Sequence, residues 1–383
     1  MLNDSLLSML AELGSLLPLV AERGPASDAA RRPDPEVMRG LGDAGLLRLV
    51  VPRTYGGHEA HPAEFIEFTA TLAAAHGSTA WTAMTCNEEA GIASAFLEPD
   101  SMIGLYRDEP NVIIAGSGVP NGTARRVDGG WLVEGRWGFV SGCTAADRWV
   151  LTCVVDGERP VQFCHILLPA DPNLIEDTWD TAGLRGSGSH HVVLEGVMVP
   201  DEWAGVAPAN SLPRPDALFY RLPSGLRFPF PKVGVAAGLA RRAIDEFADL
   251  AGAKRPLHHR SALAERPDAA RAMARATALV GSGVAYVEDR LDALWSTLLA
   301  GDPVPSDLHA EVRLACSSAV AGCIEAVEEL VAAAGTSANF TSSPLALIRN
   351  DVRAVAAHFM VAPYQMDAAG RVLLGLEPTE FGF

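Results

Sequence analysis

The sequence contains no uninterrupted apolar stretch of about 18 residues, the length a helix needs to cross a bilayer, so no membrane span is expected. Leu6 to Val20 is only partly apolar, is broken by Glu12 and follows no basic segment, so it does not read as an export signal. Cysteine is scarce: the six, at positions 86, 143, 153, 164, 316 and 323, have neither the density of a disulfide framework nor a paired CxxC spacing. Reduced thiols in a cytoplasmic protein are the expectation. The pairs His190-His191 and His258-His259 cannot share a helix face and have no acidic residue at metal-site spacing, so no metal centre is expected. No GxGxxG follows a strand, and there is no P-loop and no GxSxG elbow. Basic charge is short as well. The 30 Lys and Arg against 47 Asp and Glu leave −17, the wrong sign for nucleic acid or an anionic membrane surface.

What is present reads as globular, with 49% apolar and 20% charged residues. At 383 residues the chain exceeds the length over which one core keeps growing, so two or three packed regions are expected. Residues 1–110 read as helices. Asp34-Pro35 supplies a capping carboxylate and an N1 proline ahead of Val37, Met38 and Leu41, with Gly45 as a stop; Pro62 opens a stripe that runs to Gly77, and Ser78 caps Thr79 to Phe96. Residues 111–210 change period. Val112-Ile113-Ile114, Trp131 to Val140, Trp149 to Val155, Val161 to Leu168 and Val192 to Val199 are short β-prone runs at the spacing of a small barrel or sandwich. Residues 211–383 return to helix after the proline-rich connector Leu212 to Pro231. Val233 to Ala251, Asp268 to Leu299, Ser306 to Ala334 and Pro344 to Leu374 are long and closely connected, which implies an antiparallel four-helix bundle and an α+β chain.

The stretch Trp131 to Cys143 stands out inside the β region. Asp128-Gly129 between Arg125-Arg126-Val127 and Trp131-Leu132-Val133 is a strong hairpin signal, and the strand that follows ends abruptly in Ser141-Gly142-Cys143-Thr144. Those small residues offer a hydroxyl, a thiol and backbone N–H groups without bulk, which suits close approach of a planar heteroaromatic ring; a polar turn at a strand end reads the same way.

Three segments in this order resemble the acyl-CoA dehydrogenase fold. Val51-Pro52-Arg53-Thr54-Tyr55-Gly56-Gly57 is similar to the family's VP-x-x-YGG connection, Gly135 to Gly142 (GRWGFVSG) to its flavin strand G-x-W-x-F-x-S-G, and Gly183 to Ser189 (GLRGSGS) followed by Val197-Met198-Val199-Pro200 to GLRGTGS…VP. Many dehydrogenases of this fold carry a carboxylate base in a Tyr-Glu-Gly segment after the third bundle helix, where this chain has Ala334-Gly335-Thr336-Ser337-Ala338. Asp351-Val352-Arg353 followed by His358 instead resembles DVR-x-x-x-x-H of the flavin-dependent monooxygenase branch, the two-component hydroxylases. Dehydrogenases that take their base from elsewhere, and a non-redox small-molecule binder, remain the alternatives.

The resemblance implies an enzyme that takes reduced FMN or FAD from a separate reductase and uses oxygen, through a flavin C4a-hydroperoxide, to oxidise carbon, nitrogen or sulfur of a small organic substrate. The protein then supplies positioning and exclusion of water. The implied flavin contacts are Ser117, Trp137, Phe139, Ser141, Gly142, Arg185, Ser187 and Ser189, with Arg260 reaching a neighbouring subunit's flavin phosphate in a homotetramer. Ser141 is implied as a hydrogen-bonding group and His358 as the proton-transfer group, the two meeting across the flavin. One departure concerns the position where related hydroxylases place a histidine after GS-x-x-W. After Gly77-Ser78-Thr79-Ala80-Trp81 this chain has Asn87-Glu88-Glu89, so either Asn87 acts as a neutral hydrogen-bonding group or Glu88 or Glu89 meets a basic substrate.

Overall fold

The computed structural model describes residues 4–208, 216–258 and 260–378, with side chains from residue 8 onward; the first part of the Leu212 to Pro231 connector, the 210/211 boundary and His259 lie outside the described residues. The chain divides into two compact units, one of Met1–His61, Trp81–Thr181 and Arg185–Leu222, the other of Pro62–Ala80, Ala182–Leu184 and Pro223–Phe383.

The first unit joins helices to a sheet. Asp34 caps α2 (Pro35–Asp43), its carboxylate accepting from the Glu36 and Val37 N–H groups, and Val37, Met38 and Leu41 are buried as the apolar spacing requires. Before it runs α1 (Asp4–Ala30); after it come the part of α4 (Gly77–Phe96) from Trp81 onward and α5 (Pro99–Asp108). The strands β1 (Ile114–Val127), β2 (Gly130–Val140), β3 (Arg148–Val155), β4 (Gln162–Pro169), β5 (Ile175–Glu176), β6 (His190–Pro200) and β7 (Ala204–Pro208) form one seven-stranded sheet in the order β5-β6-β2-β1-β3-β4-β7. Asp128-Gly129 makes the β1–β2 hairpin with Gly129 at φ +77°, while β1 and β3 run parallel. The buried Trp137 lies over Gly122 and Gly135, where an added Cβ would come within 2.1 Å and 2.8 Å of its ring. Two glycines facing each other across the hairpin thus make the space for one indole.

In the second unit, α3 (Pro62–Ala75) packs on α6 (Phe230–Ala253), which also contacts α7 (Pro267–Ala300) and α8 (Ser306–Ala334). A Cβ on Gly234 would sit 2.0 Å from Thr69 Oγ1 and one on Gly238 2.1 Å from the Ala70 carbonyl. Glycines one turn apart therefore set the close approach of these helices. Gly301 (φ +77°) ends α7, as its position after the apolar pattern indicates. The pattern Pro344 to Leu374, which reads as one helix, is two: α9 (Pro344–Ala356) and α10 (Tyr364–Leu373). Pro363 has no N–H to continue the ladder and disfavours helical backbone at the residue before it, so the chain breaks over 357–363, and His358 falls in that break.

Candidate functional site

The end of β2 does not alternate as a regular strand would. Trp137 and Phe139 share a face on simple period-two counting, but the pairing with β6 shifts register between Trp137 and Val140, and Phe139 takes the left-handed φ of +59°. The two aromatics part company as a result. Trp137 is buried and its indole N–H donates to the Thr152 carbonyl at 2.7 Å, whereas Phe139 is 73% exposed, with the Trp179 and His191 rings set edge-on at 6.1 and 6.3 Å. A strained backbone angle that holds an aromatic ring outward is the kind of feature found at ligand sites.

Three residues after Phe139 the chain turns at Gly142 (φ +79°), whose N–H donates to the Ser187 carbonyl at 2.9 Å; a Cβ there would press to 2.8 Å from Thr82 on α4. The turn places the buried Ser141 hydroxyl in a chain. Its Oγ accepts from the Trp81 indole N–H at 3.1 Å, lies 2.7 Å from Ser189 Oγ, and Ser189 Oγ lies 2.8 Å from Ser187 Oγ. Cys143, next along, has its thiol pushed up to about 12 by burial, so it stays protonated near neutrality and is no nucleophile.

The remaining sequence candidates of this unit are engaged in different ways. Ser117 is buried at the last β1–β3 pair before a register shift. Arg185 donates to Asp180 at 3.0 Å and to the Thr181 carbonyl at 2.6 Å, bracing its own loop. Asn87 accepts from the Leu49 N–H at 2.6 Å and donates to the Leu46 and Ala83 carbonyls, both at 2.9 Å, so its amide ties the connection before Val51 to α4. Glu88 is buried, and Glu89 Oε2 faces Gly116, 3.0 Å from where a Cβ would stand. His190 accepts at Nδ1 from the Thr178 and Trp179 N–H groups and donates from Nε2 to the Arg31 carbonyl, a bracing role.

In the second unit, His358 is half-buried just past α9, and its Nδ1 accepts from the Met360 N–H at 3.4 Å. Its pKa is held well below the usual imidazole value, first by burial and then by the positive charges of Lys232 and Arg313. These two cations are 0% and 1% exposed, Lys232 in the first turn of α6 and Arg313 on α8 donating to the Gly225 carbonyl at 2.7 Å. An imidazole kept neutral can accept a proton and cannot compete as a cation. Asp351 accepts from the Leu184 N–H at 2.7 Å, which anchors the start of the Gly183-Leu184 loop. Arg260 is exposed.

The structure thus gathers Ser141, Gly142, Ser187 and Ser189 in one place, with Phe139 on the same turn, while Trp137 serves the core of the sheet and Asn87 the α4 connection. Sequence reasoning missed Trp81 as the partner of Ser141, and Lys232 and Arg313 as the charges that add to burial in lowering the His358 pKa. A signal for both cations was available: each is a lone basic residue in an apolar run, Phe230-Pro231-Lys232-Val233 and Val312-Arg313-Leu314-Ala315. An exposed aromatic face beside buried hydroxyls and a glycine turn fits the edge of a flat heteroaromatic cofactor. No group of His, Cys, Asp and Glu among the described residues has the arrangement of a metal site, and none of the described helices is long and apolar enough to cross a membrane.

Known proteins similar to this chain share one family. Residues 232–363 match the family "Acyl-CoA dehydrogenase, C-terminal domain". The chain is 33% identical to an indole-3-acetate monooxygenase of Pseudomonas putida over 87% of its own length and 85% of the relative's. It is 29% identical to the flavin-dependent monooxygenase oxygenase subunit HsaA of Rhodococcus jostii, over 96% and 99% of the two chains. The crystal structure of 3-HSA hydroxylase from Rhodococcus sp. RHA1 superposes with a TM-score of 0.86 at 28% identity, covering 97% of this chain and 98% of that one.

Proposed function

Because this chain belongs to the flavin-dependent monooxygenase branch of the acyl-CoA dehydrogenase fold, we propose that its serine cluster and His358 are the groups that serve a bound reduced flavin and a small aromatic substrate. The activity is that of an oxygenase component working with a separate flavin reductase. Reduced flavin supplies the electrons that activate oxygen and carries the oxygen atom to the substrate. Ser141 contributes a hydrogen bond at the isoalloxazine edge, Phe139 an aromatic surface, and Ser187, Ser189 and Gly142 the frame that holds both. His358, neutral at working pH, takes or returns the substrate's proton. Ser117 and Arg185 line the flavin side as well, and Asn87 positions α4. The observation that carries the reading is the buried Ser141 hydroxyl held between Trp81 and Ser189 beside the outward Phe139.

The indole-3-acetate monooxygenase relative supports a planar aromatic substrate. Exposed Arg260 and the alanine-rich α7 support a homotetramer in which that guanidinium meets a neighbour's flavin phosphate. The six cysteines, all buried and free of disulfides, support a reducing cytoplasmic location. Titration with FMN and FAD, oxidised and reduced, tests the first part: absence of affinity for every form sinks it. With NADH and a reductase supplying reduced flavin, oxygen uptake is expected, and no dye bleaching by a straight-chain acyl-CoA. Gly335–Asn339, where dehydrogenases carry their base, is a short turn with no acidic side chain. Light scattering that gives a concentration-independent mass of 40.4 kDa rules out the tetramer.

A further inference from the structure

The Trp81–Ser141–Ser189–Ser187 chain has a property that no single one of its members has. A serine hydroxyl carries one proton and two acceptor lone pairs, whereas an indole N–H only donates. Trp81 therefore always fills one lone pair of Ser141 Oγ, at 3.1 Å. The two serine–serine contacts, at 2.7 and 2.8 Å, are each free in direction. Two arrangements satisfy the buried hydroxyls. In one, Ser187 donates to Ser189 and Ser189 donates to Ser141, so both lone pairs of Ser141 are filled and its proton points away from the chain. In the other, Ser141 donates to Ser189 and Ser189 to Ser187, so Ser141 presents a lone pair instead.

We propose that this chain lets Ser141 switch between donor and acceptor to match the flavin edge it meets, with Ser189, Ser187 and Trp81 as positioning residues. The inference rests on the reading of Ser141 as a flavin contact. An oxidised isoalloxazine presents an unprotonated N5, an acceptor, where the reduced ring presents N–H. The first arrangement suits the oxidised ring and the second the reduced one. No heavy atom moves; three hydroxyl protons reorient together. Because Ser141, Ser187 and Ser189 are buried, a hydroxyl left without a partner is costly, so each ring form selects one arrangement.

Removing an inner hydroxyl breaks the symmetry between the two arrangements. In Ser189→Ala the proton of Ser141 loses its inward acceptor, and in Ser187→Ala the proton of Ser189 loses the acceptor on which the second arrangement depends. Both variants leave Ser141 able to donate to a ring acceptor and impair its ability to accept from a ring N–H. Affinity for reduced flavin should fall roughly tenfold relative to oxidised flavin. The measurement is the pair of dissociation constants for oxidised and reduced FMN and FAD, taken anaerobically for the reduced forms, on parent, Ser187→Ala, Ser189→Ala and Trp81→Phe. Thermal melts establish that each variant is folded, and either serine variant suffices if the other is not. Loosened packing lowers both affinities alike, so the ratio isolates the switch. An unchanged ratio in a folded serine variant overturns the inference while leaving the flavin reading intact; a parent protein that binds no flavin in any form overturns both. Trp81→Phe frees a lone pair on Ser141, and the affinity for reduced relative to oxidised flavin should then be equal to or above the parent's. A fall in that ratio in folded Trp81→Phe also counts against the switch.

Discussion

The two units keep buried polar groups in opposite ways. In the first, Ser141, Ser187 and Ser189 are uncharged and satisfy one another with Trp81, so the site depends on hydrogen-bond direction and is insensitive to pH. In the second, His358 lies under the field of two buried cations, so its behaviour depends on charge. Two histidines make the contrast sharper. His165, stacked on Phe96 at 4.2 Å and bonded to Thr152 at 3.1 Å, has its pKa lowered to about 4 by burial alone. The His358 pKa is lowered by burial and then further by Lys232 and Arg313. Neutral histidine in the sheet is a by-product of packing; in the helical unit packing is again the larger cause, and two neighbouring cations that a different sequence could omit add to it.

The largest expected effect removes the reactive groups of each unit. His358→Ala and Ser141→Ala should each lower product formation by about 10²- to 10⁴-fold, with hydrogen peroxide released instead and folding retained. Product and peroxide assays with supplied reduced flavin check this. Parent-like turnover and peroxide in both variants dissolves the assignment of either unit's site.

Next in size is a test of whether the two aromatics of β2 are as different as their surroundings. Trp137→Ala removes a fully buried indole and should cost about 3–5 kcal/mol of stability, measured by denaturant unfolding. Phe139→Ala should leave stability within about 0.5 kcal/mol of the parent, since its ring is outward, and weaken flavin binding. Equal destabilisation by both changes erases the distinction.

Histidine provides a pH test with a definite sign. An unfolded histidine takes its proton near pH 6.5, but His165 in the folded protein resists until about pH 4. The unfolded state therefore binds more protons between these values. The stability that His165 contributes is fully present above pH 6.5 and is lost as pH falls towards 4, by about 3 kcal/mol in all. Unfolding curves of His165→Phe across that range should show a shallower fall than the parent. The smallest effect concerns Lys232→Met. Removing that positive charge should raise the His358 pKa and move the acid limb of the activity profile to higher pH, leaving the stability profile set by His165 unchanged. An acid limb that stays in place shows that burial, and not the cations, keeps His358 neutral.

Much of this was legible from residues alone because it depends on local rules. Asp34 before Pro35 fixes the start of α2, Asp128-Gly129 the hairpin, and Gly301 the end of α7, since each acts through its own backbone angles or the next few N–H groups. The motif around Ser141 was also legible, as small residues closing a strand. The break at 357–363 was obscured because Ala354 to Ala357 continue the helical pattern up to it, and only Pro363 marks the interruption from downstream.

What the sequence by itself determined is the order of helices and strands, the turns between them and the residue types available at each. What only the tertiary structure decided is partnership. The register shift after Trp137 sends Phe139 outward, an indole 60 residues away fills one lone pair of Ser141, and burial together with two cations from α6 and α8 lowers the pKa of His358. The physical reason is range: caps and turns are settled by contacts within a few residues, but hydrogen-bond partners and electrostatic fields depend on where distant segments pack, which no local pattern encodes.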